Sequence, residues 1–188
     1  MQLSKNFSLV ELTKSQTAER KGIPNDPSPD HQENLRLLCE RVLQPVRDHF
    51  NHVVSISSGY RSPQLCVAIG SSQDSQHAKG MAADFEIYGT PNNEVFNWVK
   101  NNLMYDQMIL EFWNPDEPNS GWVHIAYNPN QEENIKQNLR AYKDEDNYTR
   151  YKPIIGDAYW NSYGKNVKHI KNGFWLHYPT GIWDWFYY

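Results

Sequence analysis

The chain has 188 residues, a length that suits one domain with room for an appendage. With 39% hydrophobic and 14% aromatic residues it carries enough apolar mass for a real core, which excludes wholesale disorder. A formal charge of −4 at pH 7, without a long Lys/Arg run to displace counterions, argues against nucleic acid as the main partner, and no apolar run reaches membrane-spanning length.

The opening "MQLSKNFSLVEL" lacks the charged, then apolar, then small-residue pattern of a secretory leader. The expectation is therefore synthesis in a cytoplasm, with any extracellular target reached by another route. "GIPNDPSPDH" (22–31) is a loop rich in Pro and Asp, and Pro29-Asp30 suits the start of a helix. From there Leu35, Leu38, Val42 and Val46 recur at helical spacing, with Arg36, Glu40, Arg41 and Arg47 on other faces. Pro45 falls inside this pattern and must kink or restart the helix, since it has no amide proton and crowds the preceding turn. "VVSISS" (53–58) alternates like a strand and runs into the turn "GYRSP"; "SPQLCVAI" reads as a short helix and "GSSQDSQ" as a polar loop. Cys39 and Cys66 sit among apolar residues in helical segments and read as small buried hydrophobes; a single bridge between them stays open, a disulfide scaffold does not.

"MAADFEIY" (81–88) is a strand closed by Gly89. Thr90-Pro91 then offers an N-cap and a first-turn proline for a helix over 91–103, with Val95, Phe96, Val99 and Leu103 inward. Segments 105–113 and 122–127 are strands, joined by the turn-rich "NPDEPNSG". Helices followed by clustered strands predict an α+β domain over 1–153, a small antiparallel sheet flanked by helices. Residues 154–188 differ: "NVKHI", "FWLHY" and "IWDWFYY" read as three short strands with Asn-Gly and Pro-Thr-Gly turns, rich in aromatics that include Trp175, Trp183 and Trp185. This β-rich aromatic extension either packs on the domain or forms an interface to a partner, a glycan or a second copy.

The chemistry centres on "SQHAKGMAAD" (75–84), where His77 and Asp84 flank a run of small residues. A Ser-His-Asp hydrolase wants a nucleophile on a strained Gly-x-Ser-x-Gly turn, which this chain lacks, and both cysteines read as buried. A metal reading needs a third ligand and an open fourth position. His124 in "WVHIAY" is the best candidate, although a lone strand histidine is more often a satisfied core residue. Alternation puts Trp122, His124 and Ala126 on one face, and the neighbouring strand ends in Glu111, another polar residue in an apolar run. A buried imidazole and carboxylate on adjacent strands are costly unless something pairs them, and a divalent ion would resolve the cost. Two imidazoles and a carboxylate suit Zn²⁺, which acidifies water and polarises a carbonyl. Glu111 would then be the base, and Arg61 would clamp a substrate carboxylate or steady an oxyanion, or form only an ion pair.

"SSGYRSPQL", "SQHAKGMAADF" and "GWVHIAY" together resemble the zinc D-Ala-D-Ala carboxypeptidase and peptidoglycan endopeptidase family, above all its phage and prophage branch. With "LSKNFSLVELTKSQTAERKGI" and "NLRLLCERVLQPVRD" the likeness covers roughly residues 1–153. The resemblance implies that His77, Asp84 and His124 are zinc ligands, that Arg61 orients substrate or stabilises the transition state, and that Ser75 lines the substrate site. Many relatives carry the catalytic carboxylate a few residues before the last histidine, where this chain has Ser120 and Gly121. The role passes to Glu111, with Asp116 and Glu117 as alternatives. The expected function is zinc-dependent hydrolysis of a peptidoglycan stem-peptide bond next to a D-amino acid, in a phage lysis enzyme or virion component. The competing expectation is a structural virion or attachment protein without turnover, since the family includes domains that keep the ligands but not the activity. A third is an aromatic glycan-binding module without metal. Expected partners are bacterial peptidoglycan and, through the aromatic tail, virion proteins or a second copy.

Overall fold

The computed structural model describes residues 1–154 and, beyond them, the backbone of 176–177 and 183–184. Three short N-terminal helices each begin on a serine whose hydroxyl accepts from a first-turn amide. Ser8 caps α1 (Leu9–Thr13), Ser15 caps α2 (Gln16–Lys21) and Ser28 caps α3 (Pro29–Leu38). Gly22, at φ 62°, closes α2 in the left-handed region that glycine enters without penalty. From α3 the chain passes through a π-helical turn, Cys39–Leu43, into α4 (Gln44–Phe50). The widened turn lies just before Pro45 and absorbs the missing amide proton, so the helix neither breaks nor restarts. Cys39 and Cys66 are both buried and unbridged, as small apolar core members.

The strands are β1 (Val54–Ser58), β2 (Ala82–Ile87), β3 (Gln107–Glu111), β4 (Trp122–Ala126), β5 (Gln137–Lys143) and β6 (Thr149–Pro153), with α5 (Pro63–Ala68) after β1 and α6 (Asn92–Asn102) after β2. Their order across the sheet is β1-β2-β4-β3-β5-β6. The expectation of an α+β fold holds, but the sheet is mixed and not antiparallel throughout, because β3 and β5 run parallel. The cause is geometric. Strand β4 folds back between β2 and β3 and ends beside the start of β3, where Gln107 faces Ala126. Residues 127–136 then cross to the other edge of β3, Gln137 aligns with Gln107, and β5 must follow the direction of β3. Strands β5 and β6 were not expected from the sequence. Their signal is the turn "DEDN" (144–147), with Asn147 at φ 64°, between two runs that pair from Lys143–Thr149 to Leu139–Pro153.

Helix α6 starts one residue later than the Thr90 cap would require. The Thr90 amide closes a turn onto the Ile87 carbonyl, Pro91 takes the cap position in extended conformation, and no side chain caps the helix. Asn92 instead donates to the carbonyls of Ser120 and Gly121, tying α6 to the loop before β4. One face of the sheet carries Phe85, Ile87, Met108, Leu110, Val123 and Ile125, all buried with Leu35, Leu38, Val42 and Val46 of the helices. The other face carries the polar residues discussed below.

The chain divides into two compact units, Met1–Ile154 and Ile155–Tyr188. In the second, β7 (Leu176–His177) pairs antiparallel with β8 (Trp183–Asp184). The first expected tail strand, and the choice between packing and interface, fall outside the described residues. Among the described residues no helix is long and apolar enough to cross a membrane.

Candidate metal centre

Strands β2 and β4 pair with Asp84 opposite His124, so both side chains leave the same face of the sheet. His77 arrives from outside the sheet, on the tight 3₁₀ turn Gln76–Lys79. Ser75 caps that turn, its hydroxyl accepting from the His77 amide at 3.3 Å, and Gly80 ends it at φ 69°. The expected substrate-lining serine thus holds the loop that delivers a histidine. All three side chains are buried.

Their polar atoms converge. His77 Nδ1 donates to the Gly59 carbonyl at 2.7 Å, which leaves the lone pair of Nε2 facing inward. That Nε2 lies 3.3 Å from Asp84 Oδ1 and 3.2 Å from His124 Nδ1, and the last two atoms are 2.8 Å apart. Donors bound at Zn²⁺ distances with tetrahedral angles are separated by about 3.3 Å. The triangle therefore fits one face of a small-cation tetrahedron with little adjustment, and the donor set suits Zn²⁺. A single hydrogen bond would satisfy only part of it. Burial lowers the His77 pKa, with Asp84 opposing, so the imidazole is biased to the neutral, ligating form. Burial alone would raise the Asp84 carboxyl; His77 and His124 outweigh it and hold the group well below the ordinary carboxylate range. The site favours a carboxylate at Asp84 and a neutral imidazole at His77, the protonation states that a metal requires of them.

Around the triangle stand the two other expected residues. Arg61 follows β1 and donates from Nε to Ser58 Oγ at 2.7 Å and from Nη2 to Asp84 Oδ2 at 2.5 Å. It is thus an ion-pair partner of the candidate ligand itself, which fixes Asp84 with Oδ1 toward the histidines. Its Nη1 makes no hydrogen bond among the described residues and can still receive a substrate oxygen. Glu111 faces Trp122 across β3 and β4, which sets it diagonally beside His124 on the same face. It is half-buried, and burial pushes its pKa up to about 7, with Asp84 adding to the rise and His124 and Arg61 opposing it. That is the range a general base needs. Asp116 and Glu117, the alternatives, are exposed in the hairpin loop.

Residues 5–126 match the sequence model of the peptidase M15 family. The chain belongs to the peptidase M15 family. The matched segment holds His77, Asp84, His124, Arg61, Ser75 and Glu111, and M15 membership together with this triad makes it a metallopeptidase-like domain with a site able to bind a metal. No curated protein matches the chain.

Two backbone positions complete the M15 site and carry no signal in side-chain spacing. At Gly121, φ is 67° and a Cβ would overlap the Glu111 carbonyl oxygen, so the stretch before His124 has no room there for a carboxylate. At Gly59 a Cβ would overlap the Leu12 carbonyl oxygen, which also accepts from the Tyr60 amide at 2.7 Å. Since the Gly59 carbonyl orients His77, Gly59→Ala is expected to cost about 1–3 kcal/mol of stability by overpacking and to weaken zinc affinity about 10–100-fold by turning the His77 ring. Denaturant titration and competition with a chelating dye measure the two effects. Unchanged zinc affinity would mean that Gly59 does not orient the ligand.

Proposed function

We propose that the chain is a zinc peptidase that hydrolyses a stem-peptide bond of bacterial peptidoglycan next to a D-amino acid. The observation that carries this reading is the buried His77–Asp84–His124 triangle, sized for a tetrahedral cation, with a carboxylate of pKa about 7 beside it. Zn²⁺ held there supplies Lewis acidity toward a carbonyl oxygen and acidifies water. Glu111 accepts the proton of the attacking water and returns it to the leaving amine. Arg61 keeps Asp84 aligned through Nη2 and offers Nη1 to the substrate carboxylate or the developing oxyanion. Phage origin, as a lysis enzyme or virion component, belongs to this reading and rests on the resemblance of the motifs.

The test is release of amino groups from purified sacculi by zinc-loaded protein, with and without a chelator. The reading expects release that chelation abolishes and added Zn²⁺ restores. Background release from zinc-loaded protein would instead favour a wall-binding or virion protein without turnover.

A further inference from the structure

Beside the metal centre the sheet builds a second feature from residues outside the ligand set. Glu111 opposes Trp122 on β4 and Ala141 on β5, and Ala141 opposes Tyr151 on β6, so Trp122, Glu111, Ala141 and Tyr151 form one rung on the metal-facing side. Two residues further along β5, on the same face, stands Lys143 opposite Thr149. Ordinary alternation would send Phe112 to the core face. Its φ of 52°, a sparsely populated region for a bulky side chain, keeps the ring on the metal side, 5.3 Å from the Trp122 ring and edge-on to it. Lys143 Nζ lies 5.6 Å from the Phe112 centroid and donates to Thr149 Oγ1 at 2.9 Å. Among the described residues no carboxylate pairs with it.

We propose that Phe112, Trp122, Lys143 and Tyr151 form a substrate subsite that takes a carboxylate-bearing stretch of an extended peptide, with Lys143 as the anion's partner. The proposal rests on the peptidase reading for its substrate. Strained backbone at Phe112 buys an aromatic wall directly after Glu111, where a substrate lying over the base would meet it. Tyr151 is 43% exposed and so within reach of a ligand, and burial together with Glu111 and Asp84 raises its pKa, which keeps the phenol a hydrogen-bond donor. Ala141, between Glu111 and Tyr151, contributes only a methyl group and is itself fully buried, so a ligand would meet the larger side chains of the rung. The subsite lies on the opposite side of the metal triangle from Arg61, with about 14 Å of sheet between β2 and β5. An extended peptide crosses that width in about four residues, longer than a dipeptide. Lys143 and Tyr151 lie outside residues 5–126, so this part of the subsite is contributed beyond the family match.

The test is calorimetric binding to full-length, zinc-loaded Glu111→Gln protein, which removes turnover from the measurement. The ligands are the pentapeptide L-Ala-γ-D-Glu-L-Lys-D-Ala-D-Ala and the same peptide with the glutamate α-carboxylate amidated. The acid should bind about fivefold tighter than the amide, as one partly exposed ion pair allows. The added variant Lys143→Met should bring that ratio to about one, and Lys143→Arg should keep it. An equal affinity for both peptides in the Lys143 protein, a ratio untouched by Lys143→Met, or no binding of the acid overturns the subsite. The two readings separate: the ratio without any sacculus cleavage by the wild type sinks the peptidase and keeps the subsite, and cleavage without the ratio does the reverse.

Discussion

Glu111→Gln is expected to lower hydrolysis of peptidoglycan by about 10²–10⁴-fold, the usual worth of a positioned general base. Zinc content should stay at that of the wild type, because Glu111 lies outside the three-atom ligand triangle. The sign of the pH dependence follows from the same residue. Burial raises its pKa to about 7 in the metal-free site, and a base works only when deprotonated, so activity is lost as pH falls through that value. A bound dication beside the carboxylate draws its pKa down, so the acid limb of kcat/KM should lie below the metal-free titration. Carboxyl ¹³C shifts of Glu111, followed with and without zinc, report both values. A Glu111→Gln protein that keeps full turnover would transfer the base role to Asp116 or Glu117.

The second large effect belongs to Asp84→Ala. One oxygen of this carboxylate meets both histidines and the other accepts from Arg61, so the substitution removes a ligand and strands a guanidinium. Breaking a buried ion pair from one side costs about 3–5 kcal/mol, and the lower end applies because Arg61 keeps 18% of its side chain exposed. Zinc binding should be lost with it, since two imidazoles alone do not complete a site. Denaturant unfolding of the metal-free protein and elemental analysis after zinc loading read the two consequences. Retained zinc would show that Asp84 is a structural ion-pair partner and not a ligand.

What was legible in the sequence follows from what leaves a mark in it. His77, Asp84, His124 and Glu111 are polar residues set in apolar or small-residue runs, and the structure brings all four to one face of the sheet. Strand alternation was enough to pair Glu111 with the His124 strand, because period two fixes the face. The contact of Arg61 with Asp84 was not legible, since a turn residue and a strand residue 23 positions apart carry no periodic relation. Nor was the role of Gly59, which acts through its carbonyl. The parallel course of β5 depends on which edge of β3 stays open once β4 has inserted, a tertiary fact without local signature. Nor was the π-helical turn before Pro45, through which the chain stays helical at a residue where local rules expect a kink or a restart.

The most direct measurement is diffraction from crystals of zinc-loaded protein on either side of the zinc absorption edge. The account predicts one strong anomalous peak about 2.0–2.2 Å from each of His77 Nε2, Asp84 Oδ1 and His124 Nδ1. A map with zinc bound only elsewhere, or with these three side chains still bonded to one another and no peak between them, would contradict it.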